Sequence, residues 1–210
     1  MKHQTPQQGR FIVLEGIDGA GKSTHVEFIA QAIREHHGVQ VLITREPGGT
    51  PLAEKIRELV LHQPMDVETE VLLVTAARRD HVKQVIRPAL QAGQWVLCDR
   101  FVDSTRAYQG GGGGVSLKWI EELSGWATFG LTPDRVYLFD APAELAAKRR
   151  SHRGQAEDRF EAQDIAYFER VRDVYLNQPR LFAEDSLVVI DSALSVSRIQ
   201  EILYKDLLSL

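Results

Sequence analysis

The chain has one cysteine in 210 residues, so no internal disulfide can form. Cys98 lies in the apolar run Trp95-Val96-Leu97-Cys98, where a buried, inert thiol in a reducing, cytoplasmic setting is expected. Positive charge is not in surplus either. The formal net charge is −4, which removes the bulk basic field that nucleic-acid or membrane-surface binding calls for. No apolar stretch approaches the length of a membrane span, and the polar first ten residues hold no apolar signal-peptide core. Internal repeats and low-complexity linkers are missing. The glycine run Gly110–Gly114 is the one biased stretch, and it reads as a functional loop. With 43% apolar and 26% charged residues, the composition is that of an ordinary globular protein. The length suits a single domain over residues 1–210.

What is present is concentrated in Gly16-Ile17-Asp18-Gly19-Ala20-Gly21-Lys22-Ser23, which reads G-x-x-x-x-G-K-S and is followed by Thr24. This is the phosphate-binding P-loop pattern. Phe11-Ile12-Val13-Leu14 before it is apolar and strand-forming, and Val26, Ile29, Ala30 and Ile33 after it recur at helical spacing. A turn between strand and helix aims backbone N–H groups and a helix dipole at an anion. Lys22 can reach the β- and γ-phosphates of a nucleotide, and the Ser23 hydroxyl can ligate Mg²⁺.

Strand patterns fall at 11–15, 40–45, 95–99, 135–140 and 186–191. Helical patterns fill 22–36, 51–61, 67–91, 116–128, 143–152, 162–177 and 195–208, with a kink expected at Pro88. This alternation predicts an α/β fold, a three-layer P-loop arrangement of five parallel strands with helices on both faces. Ligands in such sheets bind beyond the carboxyl ends of the strands, where Glu15, Arg45 and Asp99-Arg100 stand.

A P-loop alone does not name the acceptor. The base-reading N-K-x-D of GTPases is missing. Arg45-Glu46-Pro47-Gly48-Gly49 follows the second strand, Asp99-Arg100-Phe101 ends the third, and Arg78-Arg79 lies within a helical stretch. Each arginine is either a solvated surface residue or part of a phosphate fork, and Arg100 fits the fork best because it leaves an apolar strand end. Asp99 is either a Mg²⁺ ligand or a turn cap. Lys148, Arg149, Arg150, Arg153 and Arg159, broken by Gly154-Gln155-Ala156, form either a solvated face or a mobile lid over a transferring phosphoryl group, spanning about 148–160.

Taken together these motifs resemble those of bacterial thymidylate kinases. Thr44-Arg45-Glu46-Pro47-Gly48-Gly49-Thr50 is similar to the family's T-R-E-P-G-G-T signature. Asp99-Arg100-Phe101 with Ser104 and Ala107-Tyr108-Gln109-Gly110-Gly111-Gly112 resembles its D-R-F and A-Y-Q-G-G-G segment, and Arg153-Gly154 with Asp158-Arg159-Phe160-Glu161 resembles its lid. The resemblance runs from about residue 11 to 191 and implies phosphoryl transfer from Mg·ATP to dTMP, giving dTDP, by a homodimer.

By that resemblance Gly16 to Thr24 would bind ATP, with Ser23 and Asp99 holding Mg²⁺. Asp18 would take the sugar 3′-OH, Arg45 and Arg100 the acceptor phosphate, and Arg78 the thymine edge. Ser104, Tyr108 and Gln109 would line the substrate, with Tyr108 crowding the 2′ position. The P-loop has no arginine at 17–20, which makes Arg149 and Arg153 the candidate fingers beside catalytic Lys22, Asp18 and Arg100.

Two departures stand out. The family's thymine-stacking Phe is replaced by Val74 and Thr75, which leaves Phe101 and Tyr108 as the rings nearest by motif. The arginine of Q-G-G-G-R-G is replaced by Gly113, which is expected to loosen that loop. The first departure leaves open a kinase for another deoxynucleotide monophosphate, and a nucleotide-binding module without turnover is the rival of a different class.

Overall fold

A computed structural model describes residues 9–152, 158–177 and 186–210. Five strands form one all-parallel sheet: β1 (Phe11–Glu15), β2 (Val41–Arg45), β3 (Trp95–Asp99), β4 (Arg135–Asp140) and β5 (Leu187–Asp191), in the order β2-β3-β1-β4-β5. Each expected strand lies within one residue of its place. β1 is central and wholly buried, as its unbroken apolar run requires of a strand covered on both faces. Ile12 and Leu14 pack into one cluster with Ile29, Ile33, Ile199 and Leu203, whereas Phe11 and Val13 pack into another with Val82, Ile86 and Leu90. Alternate side chains of one strand thus feed two cores, one under each layer of helices.

The helices are α1 (Lys22–His37), α2 (Pro51–His62), α3 (Val67–His81), α4 (Arg87–Gln91), α5 (Val102–Thr105), α6 (Leu117–Thr128), α7 (Ala143–Ser151), α8 (Ile165–Asn177) and α9 (Val196–Leu207). Thr50 caps α2 through a bond from the Ala53 N–H at 3.0 Å, with Pro51 in its first turn, and Asp66 caps α3 through the Thr69 N–H at 2.8 Å. α3 and α4 are joined by a π-helical turn, Val82–Ile86. Pro88 has no N–H to offer the Gln84 carbonyl, and just before it the register shifts so that the Arg87 N–H bonds to Val82. Where a kink at Pro88 is expected, the structure shows this π-helical turn, and the helix continues to Gln91.

The run Gly110–Gly114 departs from expectation. It is not a loose loop. Residues Arg106–Gly112 continue α5 as a π-helical segment, closed by Gly113 N–H to the Tyr108 carbonyl at 2.9 Å. The glycines let this segment lie against α8. A Cβ on Gly111 would stand 2.6 Å from Val174 Cγ2, and one on Gly112 would stand 2.5 Å from the Tyr167 ring. Gly113 is equally tight, because a Cβ there would meet Val67 Cγ2 at 2.4 Å. Close packing, not freedom, is what these glycines supply.

Strand order places the site. The chain leaves β1 toward β2 on one side, while the chain leaving β3 crosses to β4 on the other. Connections that diverge from adjacent strands leave a crevice at their carboxyl ends. The P-loop borders it from β1, and Asp99-Arg100 borders it from β3.

Candidate active site

The P-loop wraps the start of α1. Gly16 and Gly19 have φ of 133° and 87°, values open to glycine, and a Cβ on either would lie 2.4 Å from the backbone oxygen of Phe139 or Ala146. The loop therefore takes its shape against β4 and α7. Lys22 is buried, and its ammonium donates to the carbonyls of Gly16 at 2.8 Å and Ile17 at 3.2 Å. Burial, with Arg100 nearby, lowers its pKa, which Asp99, Asp18 and Glu15 partly offset.

Arg100 is the hub of the crevice. It has a φ of 73°, left-handed for a long side chain, a conformation that costs on the order of 1–3 kcal/mol. The turn is held by Glu15, which is fully buried and accepts from the Phe101 N–H at 2.8 Å, the Ser104 hydroxyl at 2.6 Å and the Tyr175 hydroxyl at 3.0 Å. The guanidinium that this turn projects donates to Asp18 Oδ1 at 2.6 Å, the Gly16 carbonyl at 3.0 Å and Ser104 Oγ at 3.0 Å. Tyr108 donates to Asp18 Oδ2 at 2.7 Å. Burial raises the Tyr108 pKa, which keeps that hydroxyl a donor. Burial alone would raise the Asp18 carboxyl, but Arg100 and Lys22 hold it well below the usual range. Asp18 is therefore ionised, and fixed at both oxygens.

A second buried pair lies beneath the crevice. Arg78 Nε donates to Glu46 Oε2 at 2.6 Å, with both side chains 3% exposed. Its NH2 donates to the Phe101 carbonyl at 2.9 Å and Thr105 Oγ1 at 3.0 Å. His81 Nδ1 stands 3.0 Å from the other Glu46 oxygen, and its Nε2 stands 2.7 Å from Thr44 Oγ1. Arg78 NH1 is a buried donor with no partner among the described residues. A buried guanidinium edge left without a partner is costly, so it marks a place for a ligand acceptor.

Two pockets meet at this hub. One, of about 1230 Å³, is lined by Asp18 to His25, Arg45, Asp99, Arg149 and Ser192. The other, of about 650 Å³, is lined by Pro47, Val74, Arg78, Phe101, Ser104, Tyr108, Gln109 and Phe160. Asp18, Glu46, Arg57 and Arg100 line both. Arg57, on α2, was not singled out from sequence. Burial lowers its pKa, and Arg45 and Arg100 lower it further. Cations crowded to that point describe a place for anions.

The expected residues fall on both sides of the hub. Gly19 to Thr24, Asp99 and Arg149 lie in the larger pocket, and Val74, Arg78, Ser104, Tyr108 and Gln109 in the smaller. Arg45 lines the larger pocket, half-exposed and paired with Glu54 at 2.8 Å. Val74 and Arg78 both line the smaller pocket, while Val71 and Thr75 on the same helix are buried and do not line it. Of the basic run, Arg149 NH2 donates to the Ser192 carbonyl at 2.8 Å. Arg150 is buried, donates to the Asp18 carbonyl at 2.7 Å and stacks on Phe168. Arg153 lies outside the described residues. Glu15, Glu46, Arg57, Tyr175 and Phe160 complete the site. Glu15 and Glu46 carried a signal, as acids at or just past strand ends; Tyr175 carried none.

The residues for a divalent cation fit Mg²⁺. Asp99 Oδ1 is buried with no partner among the described residues, and it shares its pocket with the exposed Ser23 and with Lys22. No group of three or more His, Cys, Asp or Glu suited to a metal occurs among the described residues. One carboxylate and one hydroxyl suit a cation that takes its remaining ligands from water and phosphates.

Comparison with known proteins identifies the family. The model of a family described as thymidylate kinase matches residues 14–202. A thymidylate kinase of Cupriavidus necator is 47% identical over 203 residues, covering 94% of this chain and 97% of that protein. One of Bordetella pertussis is 50% identical over 189 residues, 90% of this chain and 89% of that protein. One of Paraburkholderia phytofirmans is 49% identical over 199 residues, 92% and 94% respectively.

Proposed function

The chain belongs to the thymidylate kinase family, which moves a phosphoryl group from ATP to dTMP, and we propose that this chain does so across the boundary between its two pockets. The larger pocket takes ATP on the P-loop, and the smaller takes dTMP. The observation that carries this reading is the shared lining. Arg100 and Arg57 face both pockets, so an acceptor phosphate and a donor phosphate meet over the same cations.

The acceptor is a phosphate oxygen, already anionic near neutral pH, so no strong base is needed. Catalysis then rests on positioning and charge neutralisation. Lys22 and the P-loop N–H groups hold the donor phosphates. Arg100, its direction set by Asp18 and Glu15, orients the acceptor phosphate. Asp18 accepts from the sugar hydroxyl, Tyr108 stands against the deoxyribose, and Arg78 NH1 meets the thymine edge. Arg149 supplies charge beside the P-loop as one finger, with Arg153 as the other. Ser23 and Asp99 would hold Mg²⁺, which shields charge on the phosphates when bound.

The enzyme is proposed to work in the cytoplasm as a single-domain chain with a lid over about 148–160, and as a homodimer. Among the described residues no helix is long and apolar enough to cross a membrane. Exposed Leu72 on α3, with Trp119 and Trp126 on the adjoining α6, supports a dimer face. Light scattering at micromolar concentration reads the mass directly. The activity is tested by coupled ADP release with dTMP, dUMP, dCMP and dGMP as acceptors. The highest kcat/KM is expected for dTMP; a higher value for another acceptor, or no ADP release at all, overturns the assignment.

A further inference from the structure

The base end of the acceptor pocket lacks a ring on its helical wall. α3 offers Val74 there, a branched aliphatic side chain. Among the described residues, the aromatic side chains that line the pocket are Phe101, Tyr108 and Phe160. Phe101 is 1% exposed, meets Phe11 edge-on at 4.9 Å and lies under the Arg78 guanidinium at 5.4 Å. Tyr108 is committed through its hydroxyl to Asp18 and Arg100. Phe160 is different. It is half-buried, its ring stands 5.8 Å from Tyr108 at 83°, and it packs against the cluster that holds Ile56, Val60 and Val74.

The backbone around it is fastened. Asp158 accepts from the N–H groups of Phe160 and Glu161, each at 2.9 Å. Arg159 N–H donates to the Leu61 carbonyl at 3.3 Å, its NH2 donates to the Val60 carbonyl at 3.1 Å, and its guanidinium is paired with the buried Glu70. Glu70 also accepts from Gln109, which lines the pocket beside Tyr108. The segment carrying Phe160 is thus tied to the end of α2, to α3 and to the acceptor loop at once. Arg159, next to the ring in sequence, is bonded through its backbone to Leu61 and through its guanidinium to Val60 and Glu70, and these bonds hold Phe160 at the pocket.

We propose that Phe160 is a base-contact residue: its ring covers the thymine of bound dTMP and supplies the stacking surface that α3 does not. The inference rests on the dTMP reading above. It makes Phe160 a specificity-determining side chain, carried by a segment about eighty residues downstream of α3.

Calorimetric titration of the full-length enzyme with dTMP tests it. Phe160→Leu keeps an apolar cover and removes the ring, so dTMP affinity is expected to fall about 5- to 150-fold, the range one base–aromatic stack is worth. Phe160→Tyr restores it to within about threefold, and affinity for a non-hydrolysable ATP analogue stays unchanged in both. If Phe160→Leu binds dTMP within twofold of the wild type, the proposal is wrong. Phe160→Trp gives a second reading. The native Trp95, Trp119 and Trp126 do not line this pocket, so the difference from wild type reports the new indole. Its emission should be quenched by dTMP and not by the ATP analogue, and equal response to both refutes contact with the base. Wild-type enzyme that fails to bind dTMP would instead count against the substrate assignment itself.

Discussion

The Glu46–Arg78 pair lends itself to a quantitative test, because both side chains are 3% exposed and joined at 2.6 Å. Removing one partner of a buried ion pair leaves an uncompensated charge and costs about 3–5 kcal/mol. Glu46→Ala strands the Arg78 guanidinium, whose remaining partners, the Phe101 carbonyl and Thr105 Oγ1, are neutral. It also strips His81 of its Nδ1 contact. For a chain of this size each kcal/mol shifts the melting temperature by about 2–4 °C, so a drop of about 6–20 °C is expected. Arg78→Met should cost a comparable amount, since it strands the carboxylate. The double variant should lose less than the two singles added together, by at least about 1 kcal/mol, because the charge left behind by each single change is then gone. Equilibrium urea unfolding without nucleotide gives all four free energies of the cycle. Raising the salt should leave the coupling nearly unchanged, unlike that of the exposed Arg198–Glu201 pair. Additive losses, or a coupling that salt abolishes, would refute the account of Glu46 as the buried counter-charge.

Other outcomes follow from the same structure. Lys22→Ala should remove most of kcat with the circular-dichroism spectrum unchanged, and a folded variant with near wild-type kcat would sink the P-loop assignment. Gly112→Ala should destabilise by about 1–3 kcal/mol, because its Cβ would enter the space of the Tyr167 ring at 2.5 Å; an unchanged urea midpoint would contradict that packing. Glu15 has its pKa raised by burial, with Asp103 adding to it, so its contribution to stability is present at low pH and lost as pH rises through the raised value. Glu15→Gln should therefore gain in melting temperature relative to wild type as pH is raised from the ordinary carboxylate range, and a difference that stays flat or shrinks would overturn that sign.

Sequence alone carried the sheet almost completely, because five apolar runs bounded by polar turns leave few ways to misplace parallel strands. It read Gly110–Gly114 as a loop and gave no element to 102–109. A run of glycines disfavours helix by propensity, yet here it lets α5 and its π-helical extension press against α8, and tertiary packing decided the outcome. The P-loop, Asp99 and Arg100 were legible because their chemistry is packed into short contiguous motifs. Glu46 was quoted in its motif without a role, since nothing local says that its partner lies thirty-two positions ahead. Tyr175 and Phe160 reach the site from segments whose own periodicity speaks only of helix and turn. Such convergence is a property of the fold, and no window along the chain contains it.

The lone thiol has a use unrelated to the chemistry it sits beside. Cys98 is completely buried in β3, and its Sγ donates to the Arg100 carbonyl at 3.2 Å. Burial pushes its pKa up, so a thiol reagent reaches it only when the central sheet comes apart. Its labelling rate is then a clock for opening of the native state, with no introduced probe and no second cysteine to confuse the signal. A nucleotide that binds only the closed protein slows the clock in proportion to its occupancy. Affinities for ATP and dTMP can thus be read from a rate of alkylation, in variants that no longer turn over as readily as in the intact enzyme.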